Sequence, residues 1–230
     1  VTLAAPSYLI PGTWLENARA LEGESWIEGL ELLFFSYDDD ARRILSRERE
    51  GLAALSSRYR YSVHLPDPLD AADEGLIEHT RSFCSLYVAH PPRHGAAPDS
   101  WAALVSSWTR RYGATIAVEH VEGRDFDAAC RSLPDAPVCA DSGSIAREGV
   151  DPHAWCLARE DRIAELHIHG SMGAKDHLPL SGSEPWLSPL AALSERRSWR
   201  VVLETFSLES ARASAAAFAA ALEPGRGNLP

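Results

Sequence analysis

The sequence predicts a single (β/α)8 barrel. Eight apolar segments of strand length alternate with helical or helix-like patterns along the whole 230-residue chain. No linker or long low-complexity stretch divides them, and a chain of this length is the right size for one slightly compact barrel. A doubly wound open sheet is the competitor. It usually has fewer strands, and its dinucleotide-binding form carries GxGxxG after the first strand, which is absent here. The expected barrel spans 1–223, and the Gly/Pro-containing stretch 224–230 reads as a flexible tail.

The elements follow in order. Val1 to Ala5 reads as the first strand, and Pro11 to Leu21 as a helix with proline in its first turn. Ile27 to Phe35 is the second strand, and Asp38 to Ser56 a long helix with acids in its first turn. Tyr59 to Leu65 is the third strand, stopped by Pro66 and Pro68, with a helix over Leu69 to Arg81. Cys84 to His90 is the fourth, ended by Pro91-Pro92. Asp99 or Ser100 then caps a helix to Tyr112, with Trp101, Leu104, Val105 and Trp108 on one face and Gly113 closing it. Ala114 to His120 is the fifth strand and Asp125 to Ser132 a short helix. Pro137 to Asp141 is the sixth strand, and Ser144 to Leu157 is mostly helix. The seventh strand opens the stretch Arg162-Ile-Ala-Glu-Leu-His-Ile-His-Gly, after which a glycine-containing loop delivers Asp176 and His177. Pro185 to Glu195 is helical, Trp199 to Phe206 is the eighth strand, and alanine-rich Leu208 to Leu222 is the last helix.

Composition is ordinary for a globular protein, with 45% hydrophobic and 24% charged residues. A formal charge of -11 counts against a non-specific nucleic-acid surface, which needs a basic footprint. Arg42, Arg43, Arg47 and Arg49 alternate with acids and read as a helix surface. Cys84, Cys130, Cys139 and Cys156 are scattered without CxxC and are expected reduced and buried. No apolar run reaches the roughly 18 residues of a membrane span. The N-terminal Val-Thr-Leu-Ala-Ala-Pro lacks the pattern of a signal peptide, so the cytoplasm is the default expectation. Nothing in the sequence determines an oligomeric state. The seven tryptophans sit mostly in helices or their flanks and read as packing, Trp186 included.

A barrel of this type carries its active site at the C-terminal strand ends. Those ends present His64, His90, Glu119, Asp141, His167 with His169, and Glu204, while Glu31 lies nearer the middle of the second strand. His167 and His169 are two apart and share a face. Val63, Leu65, Val118, Val138, Ala140 and Leu203 flank these polar positions and would face the helices. Singly, a strand-end histidine is more often a hydrogen-bonded structural residue and a strand-end glutamate a solvated one. Together they converge on one pocket, where carboxylates without a cation would repel one another. Imidazoles and carboxylates in such number are ligand chemistry for a divalent metal.

The pattern resembles the xylose isomerase-like TIM barrels, a superfamily that also holds type IV apurinic endonucleases and sugar epimerases. The resemblance runs strand by strand through Gly-Leu-Glu-Leu (29–32), Ser-Val-His-Leu-Pro (62–66), Val-Ala-His-Pro (88–91), Val-Glu-His (118–120), Ala-Asp-Ser-Gly-Ser (140–144), His-Ile-His-Gly (167–170), Asp-His-Leu-Pro-Leu (176–180) and Leu-Glu-Thr-Phe (203–206). It implies that Glu119, Asp141, His167 and Glu204 hold one divalent cation. It further implies that His64 and His90 stand where the endonuclease branch binds additional metal. One departure is Ser144, where the family usually has histidine three residues after the aspartate; this counts against a three-metal site. Within the superfamily, Ser7-Tyr-Leu-Ile-Pro11, His-Leu-Pro (64–66), the His-Ile-His-Gly and Asp-His-Leu run, and Leu-Glu-Thr-Phe-Ser (203–207) look like the cobamide-remodelling phosphodiesterases. Ser144 and Asp67-Pro68 depart from that pattern.

These readings predict a metal-dependent enzyme with one or two zinc, iron or manganese ions per chain. The leading expectation is a phosphoester hydrolase on a small, bulky substrate such as a corrinoid, with His169, Asp176, His177 and Lys175 toward the substrate. An exposed loop role is the plainer reading of Lys175. The alternative is a sugar or sugar-phosphate isomerase or epimerase, with Glu119 and Glu204 moving a proton as paired acid and base. A metal-free binding protein on a decayed barrel is the third reading. Ser144 is its one mark in favour, and the intact carboxylates stand against it.

Overall fold

The computed structural model describes residues 1–94, 98–173 and 175–223; the expected tail at 224–230 lies outside them. Its strands are β1 (Thr2–Pro6), β2 (Gly29–Leu33), β3 (Arg60–His64), β4 (Cys84–Ala89), β5 (Thr115–His120), β6 (Val138–Asp141), β7 (Ile163–Ile168), β8 (Gly170–Met172), β9 (Lys175–Leu178) and β10 (Arg200–Leu203). Eight of them close into a barrel in the order β1-β10-β7-β6-β5-β4-β3-β2, every pair parallel. Among the described residues, β8 and β9 pair only with each other, as an antiparallel hairpin.

Helices α1 (Trp14–Ala20), α2 (Asp39–Ala54), α3 (Glu74–Thr80), α4 (Pro98–Tyr112), α5 (Phe126–Ser132), α6 (Ser142–Arg147), α7 (Pro152–Leu157), α8 (Leu187–Arg197) and α9 (Leu208–Leu222) connect the strands. Side-chain caps start most of them. Asp38, Asp125, Asp151 and Ser207 each accept from first-turn backbone N–H groups, which have no partner within the helix. No helix among the described residues is long and apolar enough to cross a membrane.

Several local expectations change. α1 begins at Trp14 rather than Pro11, because Thr13 and Glu16 form a reciprocal capping box. α4 begins at Pro98, so Asp99 and Ser100 lie inside its first turn instead of capping it. The helix expected over 144–157 starts two residues earlier, at Ser142, and breaks into α6 and α7 around Gly149, whose φ of 75° suits glycine. The loop expected after β7 is the β8–β9 hairpin, in which His177 itself takes a left-handed φ of 53°. All four cysteines are free, but Cys130 is only half-buried.

Strand alternation sorts the side chains into two compartments. Val63, Leu65, Val118, Val138, Ala140, Leu166, Ile168 and Leu203 join the core between sheet and helices, with Trp101, Val105 and Trp108 of α4 and with Trp186. The barrel interior holds a small apolar group of Val88, Ala117 and Cys139. Around and above it lie buried Glu31, Ser62, His64, Glu119, Asp141, Glu165 and His167. The register places Glu31 beside Ser62, His64 beside Val88, Glu119 beside Cys139 and Asp141 beside His167. The chain has therefore filled an interior that is usually branched and apolar with ionisable groups.

Trp108 is 1% exposed and spans the layer between α4 and the sheet. Trp108→Ala is expected to cost about 3–5 kcal/mol of stability, read as a lower midpoint in urea unfolding.

Candidate metal centre at the barrel mouth

Two strands converge first on Glu119. His64, at the end of β3, points Nε2 at Glu119 Oε2 at 3.0 Å. His90, just beyond β4, points Nε2 at the same oxygen at 2.9 Å. The other oxygen, Oε1, receives His167 Nδ1 of β7 at 2.8 Å. One carboxylate is thus held by three imidazoles. Burial opposes its charge, but His167 and His90 outweigh that effect and hold Glu119 well below the usual carboxylate range.

His167 is the hub. It is fully buried, and four glutamates surround its ring. Nδ1 also lies 3.4 Å from Glu204 Oε2, and Nε2 lies 3.2 Å from Glu31 Oε1 and 3.5 Å from Glu165 Oε1. Burial works against the imidazolium, yet Cys139 and the glutamates around it raise its pKa well above the ordinary value. Glu31, unlike Glu119, is pushed upward, chiefly by burial. Below the hub, Arg200 Nε meets Glu165 Oε2 at 3.2 Å, bringing a counter-charge into the barrel floor.

A second line of groups runs along the β6 side. Asp141 caps α6, accepting from the Ser144 N–H at 2.6 Å through Oδ1, while Oδ2 faces His169 Nε2 at 3.2 Å. His169 Nδ1 lies 3.1 Å from Asp176 Oδ1, and the His177 ring stacks on His169 with centroids 4.5 Å apart. His177 Nε2 approaches Glu204 Oε2 at 3.6 Å. Gly143 makes this possible: a Cβ there would meet His169 Cε1 at 2.1 Å and Asp176 Oδ1 at 2.8 Å.

Outside the mouth, Asp67 accepts from Arg124 Nη1 at 3.1 Å and lies 3.7 Å from His90 Nδ1. The neighbouring His90, with Arg124, lowers Asp67 to about 2. Burial opposes charge on His90, but Glu119 and Asp67 outweigh it and push His90 up to about 10. His90 thus stands between two carboxylates, Asp67 on its Nδ1 side and Glu119 at Nε2.

Nine of the ten residues singled out from sequence lie together at the mouth: His64, His90, Glu119, Asp141, His167, His169, Asp176, His177 and Glu204. Lys175 is the exception, exposed on β9 while its neighbour Asp176 reaches His169. Sequence reasoning missed Glu165, although it shares a strand face with His167. It also missed Cys139, Asp67 and Arg147, and underrated Glu31.

The donors fit a divalent cation. One donor atom each from Glu119, Asp141, His167 and Glu204 lies within 4.8 Å of the others. Glu204 Oε2 is buried there without a hydrogen-bond partner, an arrangement costly in a finished polar network. Three carboxylates and an imidazole suit zinc, iron or manganese. His64–Glu119–His167 and His169–His177–Glu204 form two further trios on either side.

The same architecture occurs in solved structures. L-ribulose 3-epimerase superposes with a TM-score of 0.73 at 15% identity, covering 97% of this chain and 95% of that one. The 3-keto-D-glucoside 4-epimerase of E. coli gives 0.70 at 13%, covering 96% and 98%. An AP endonuclease of family 2 from Brucella melitensis gives 0.69 at 16%, covering 95% and 98%. The fold is a TIM barrel, eight parallel strands closed with helices between them, as in these enzymes. No protein-family model matches the sequence, and no curated protein does. Within this TIM-barrel fold the likeness at such identities concerns architecture, and none of the three structures is a corrinoid enzyme.

Gly143→Ala tests the packing of the centre. The added methyl displaces His169 and through it Asp141, so metal binding is expected to weaken about 10–100-fold in competition with a chromophoric chelator. Far-ultraviolet circular dichroism should stay unchanged.

Proposed function

We propose that the protein is a divalent-metal-dependent phosphoester hydrolase acting on a small, bulky substrate, with the nucleotide loop of a cobamide as the leading candidate. The observation that carries this reading is the pair His64 and His90, both aimed at Glu119 Oε2 at 3.0 and 2.9 Å. Glu119, Asp141, His167 and Glu204 already suffice for one cation. The two extra imidazoles and the outer oxygen of Glu119 are donors for a second. A pair of cations held by these donors would supply charge for the attacking and leaving oxygens of an in-line displacement. When bound, such ions supply Lewis acidity and lower the pKa of water to about 7.

The chain's own groups do the rest. Nε2 of His167 faces Glu31 and Glu165, which turns Nδ1 toward Glu119 and Glu204. Partly exposed His177, next to Glu204, is placed to hold a proton at the leaving oxygen. An aromatic rim frames one side. Tyr8, Phe35 and Phe206 are 50%, 63% and 44% exposed. Tyr8 meets Phe35 and Phe206 edge to face, and Phe206 packs on His177 with centroids 4.7 Å apart. A cavity of about 280 Å³ beside it is lined by Tyr8, Trp14, Leu33, Phe35 and Ile44. A flat ring system covers such a surface; a simple sugar leaves most of it wet.

A sugar or sugar-phosphate isomerase or epimerase is the second reading, and the matched structures favour it, two of the three named being epimerases. Glu204 Oε2, buried without a hydrogen-bond partner, would serve there as a proton acceptor. Against it, both oxygens of Glu119 already meet imidazole nitrogens, at 2.8, 2.9 and 3.0 Å, which a carboxylate taking a proton from carbon would have to release.

Plasma mass spectrometry is expected to find one or two divalent ions per chain, lost in Glu204→Gln. Glu119→Gln and Glu204→Gln should each abolish metal-dependent phosphodiesterase activity on aryl phosphodiesters and corrinoids. Unchanged activity in both variants would end the hydrolase reading. Solvent deuterium appearing in a ketose incubated with the wild type would establish the isomerase instead. Phe35→Ala is expected to raise KM for a bulky diester roughly tenfold with little change in kcat, and to leave a small aryl ester unaffected.

A further inference from the structure

Beside the hub lies a group of side chains that has the makings of a separate cation site. His169, His177 and Glu204 bring donor atoms within 4.8 Å of one another, Asp176 Oδ1 is 3.1 Å from His169 Nδ1, and Glu204 Oε2 is buried without a hydrogen-bond partner. A positive group already stands against it. Arg147, the last residue of α6, lays Nη1 against the outer oxygen of Asp176, donates from Nη2 to Ser144 Oγ at 3.2 Å, and from Nε to Glu122 Oε2 at 2.7 Å. Its side chain is 20% exposed. Three separate partners fix a guanidinium whose planar fork keeps its charge at any working pH.

We propose that Arg147 is a built-in cation, occupying the charge position beside Asp176 and His169 that would otherwise take a divalent ion. The inference rests on reading the mouth as a metal centre, and it says how that centre is limited. Asp176 spends its outer oxygen on the guanidinium. Ser144, one helical turn before Arg147, offers a hydroxyl that accepts from Arg147 where an imidazole would compete for metal. A divalent ion placed between His177 and Asp176 would face the fixed positive charge at close range. Metal is thereby confined to the Glu119 side. The cavity of about 770 Å³ over Arg147, Ser171, Gly173 and Asp176 carries a permanent positive group in its wall in place of an exchangeable one.

The experiment is a count of zinc bound per chain, by plasma mass spectrometry after dialysis against a zinc buffer, in wild type, Arg147→Lys, and the double variant Ser144→His with Arg147→Ala. The double variant is expected to hold one ion more than the wild type, and Arg147→Lys the same number as the wild type. Asp176→Asn added to the double variant should return the count to the wild-type value. An equal count in wild type and double variant overturns the proposal, whatever that count is. A wild type without zinc whose double variant gains one ion upholds it while removing the dinuclear reading. If circular dichroism shows the double variant unfolded, Arg147→Gln, which keeps donors toward Ser144 and Glu122 without the charge, gives the same comparison. A gain supports the proposal and an unchanged count overturns it.

Discussion

Four glutamates approach the two ring nitrogens of one histidine inside a barrel from which water is largely excluded. Buried charge is tolerated only when paired, so the arrangement of the whole mouth follows from where positive charge can be placed. His167 supplies it at the centre, Arg200 from the floor, His64 and His90 on one side, and Arg147 on the other. The apolar sheath around the sheet is ordinary by comparison. It gives the strands a rigid closed frame, and that frame keeps the carboxylates from moving apart.

That frame was legible in the sequence because parallel barrel strands are short apolar runs with one polar residue at the end. His64, Glu119, Asp141, His167 and Glu204 could be placed from alternation alone. Glu165 was legible by the same rule, two positions before His167, but a charged residue in mid-strand reads more readily as an outward one. Only Arg200, arriving from the far end of a neighbouring strand, explains why it turns inward. Arg147 had no signal. A long side chain on a short helix can reach several places, and its target, Asp176, is 29 positions away on a hairpin that the pattern of apolar residues did not reveal. Thr13 and Glu16 have the spacing of a capping box, which sets the start of α1 after Pro11.

The two enzyme readings share this geometry and differ in what Glu119 is asked to do. As a ligand, a carboxylate fully engaged by three imidazoles is already in place. As a base, it must release them to accept a proton from carbon. Its three imidazole partners stand at 2.8 to 3.0 Å. The exposed aromatic rim adds a separate argument about size, since it lies beside the ligands and not among them.

The β8–β9 ribbon carries Asp176 and His177 yet contributes no rung to the barrel. Its length, its turn and even its residues can therefore change without disturbing the closure of the eight strands. Descendants of this chain could exchange that ribbon as a unit, acquiring a new wall at the mouth while inheriting the eight strands and their His/Glu cluster intact. The mouth thus has an exchangeable wall and a fixed one, and the seam between them runs between His167 and Gly170.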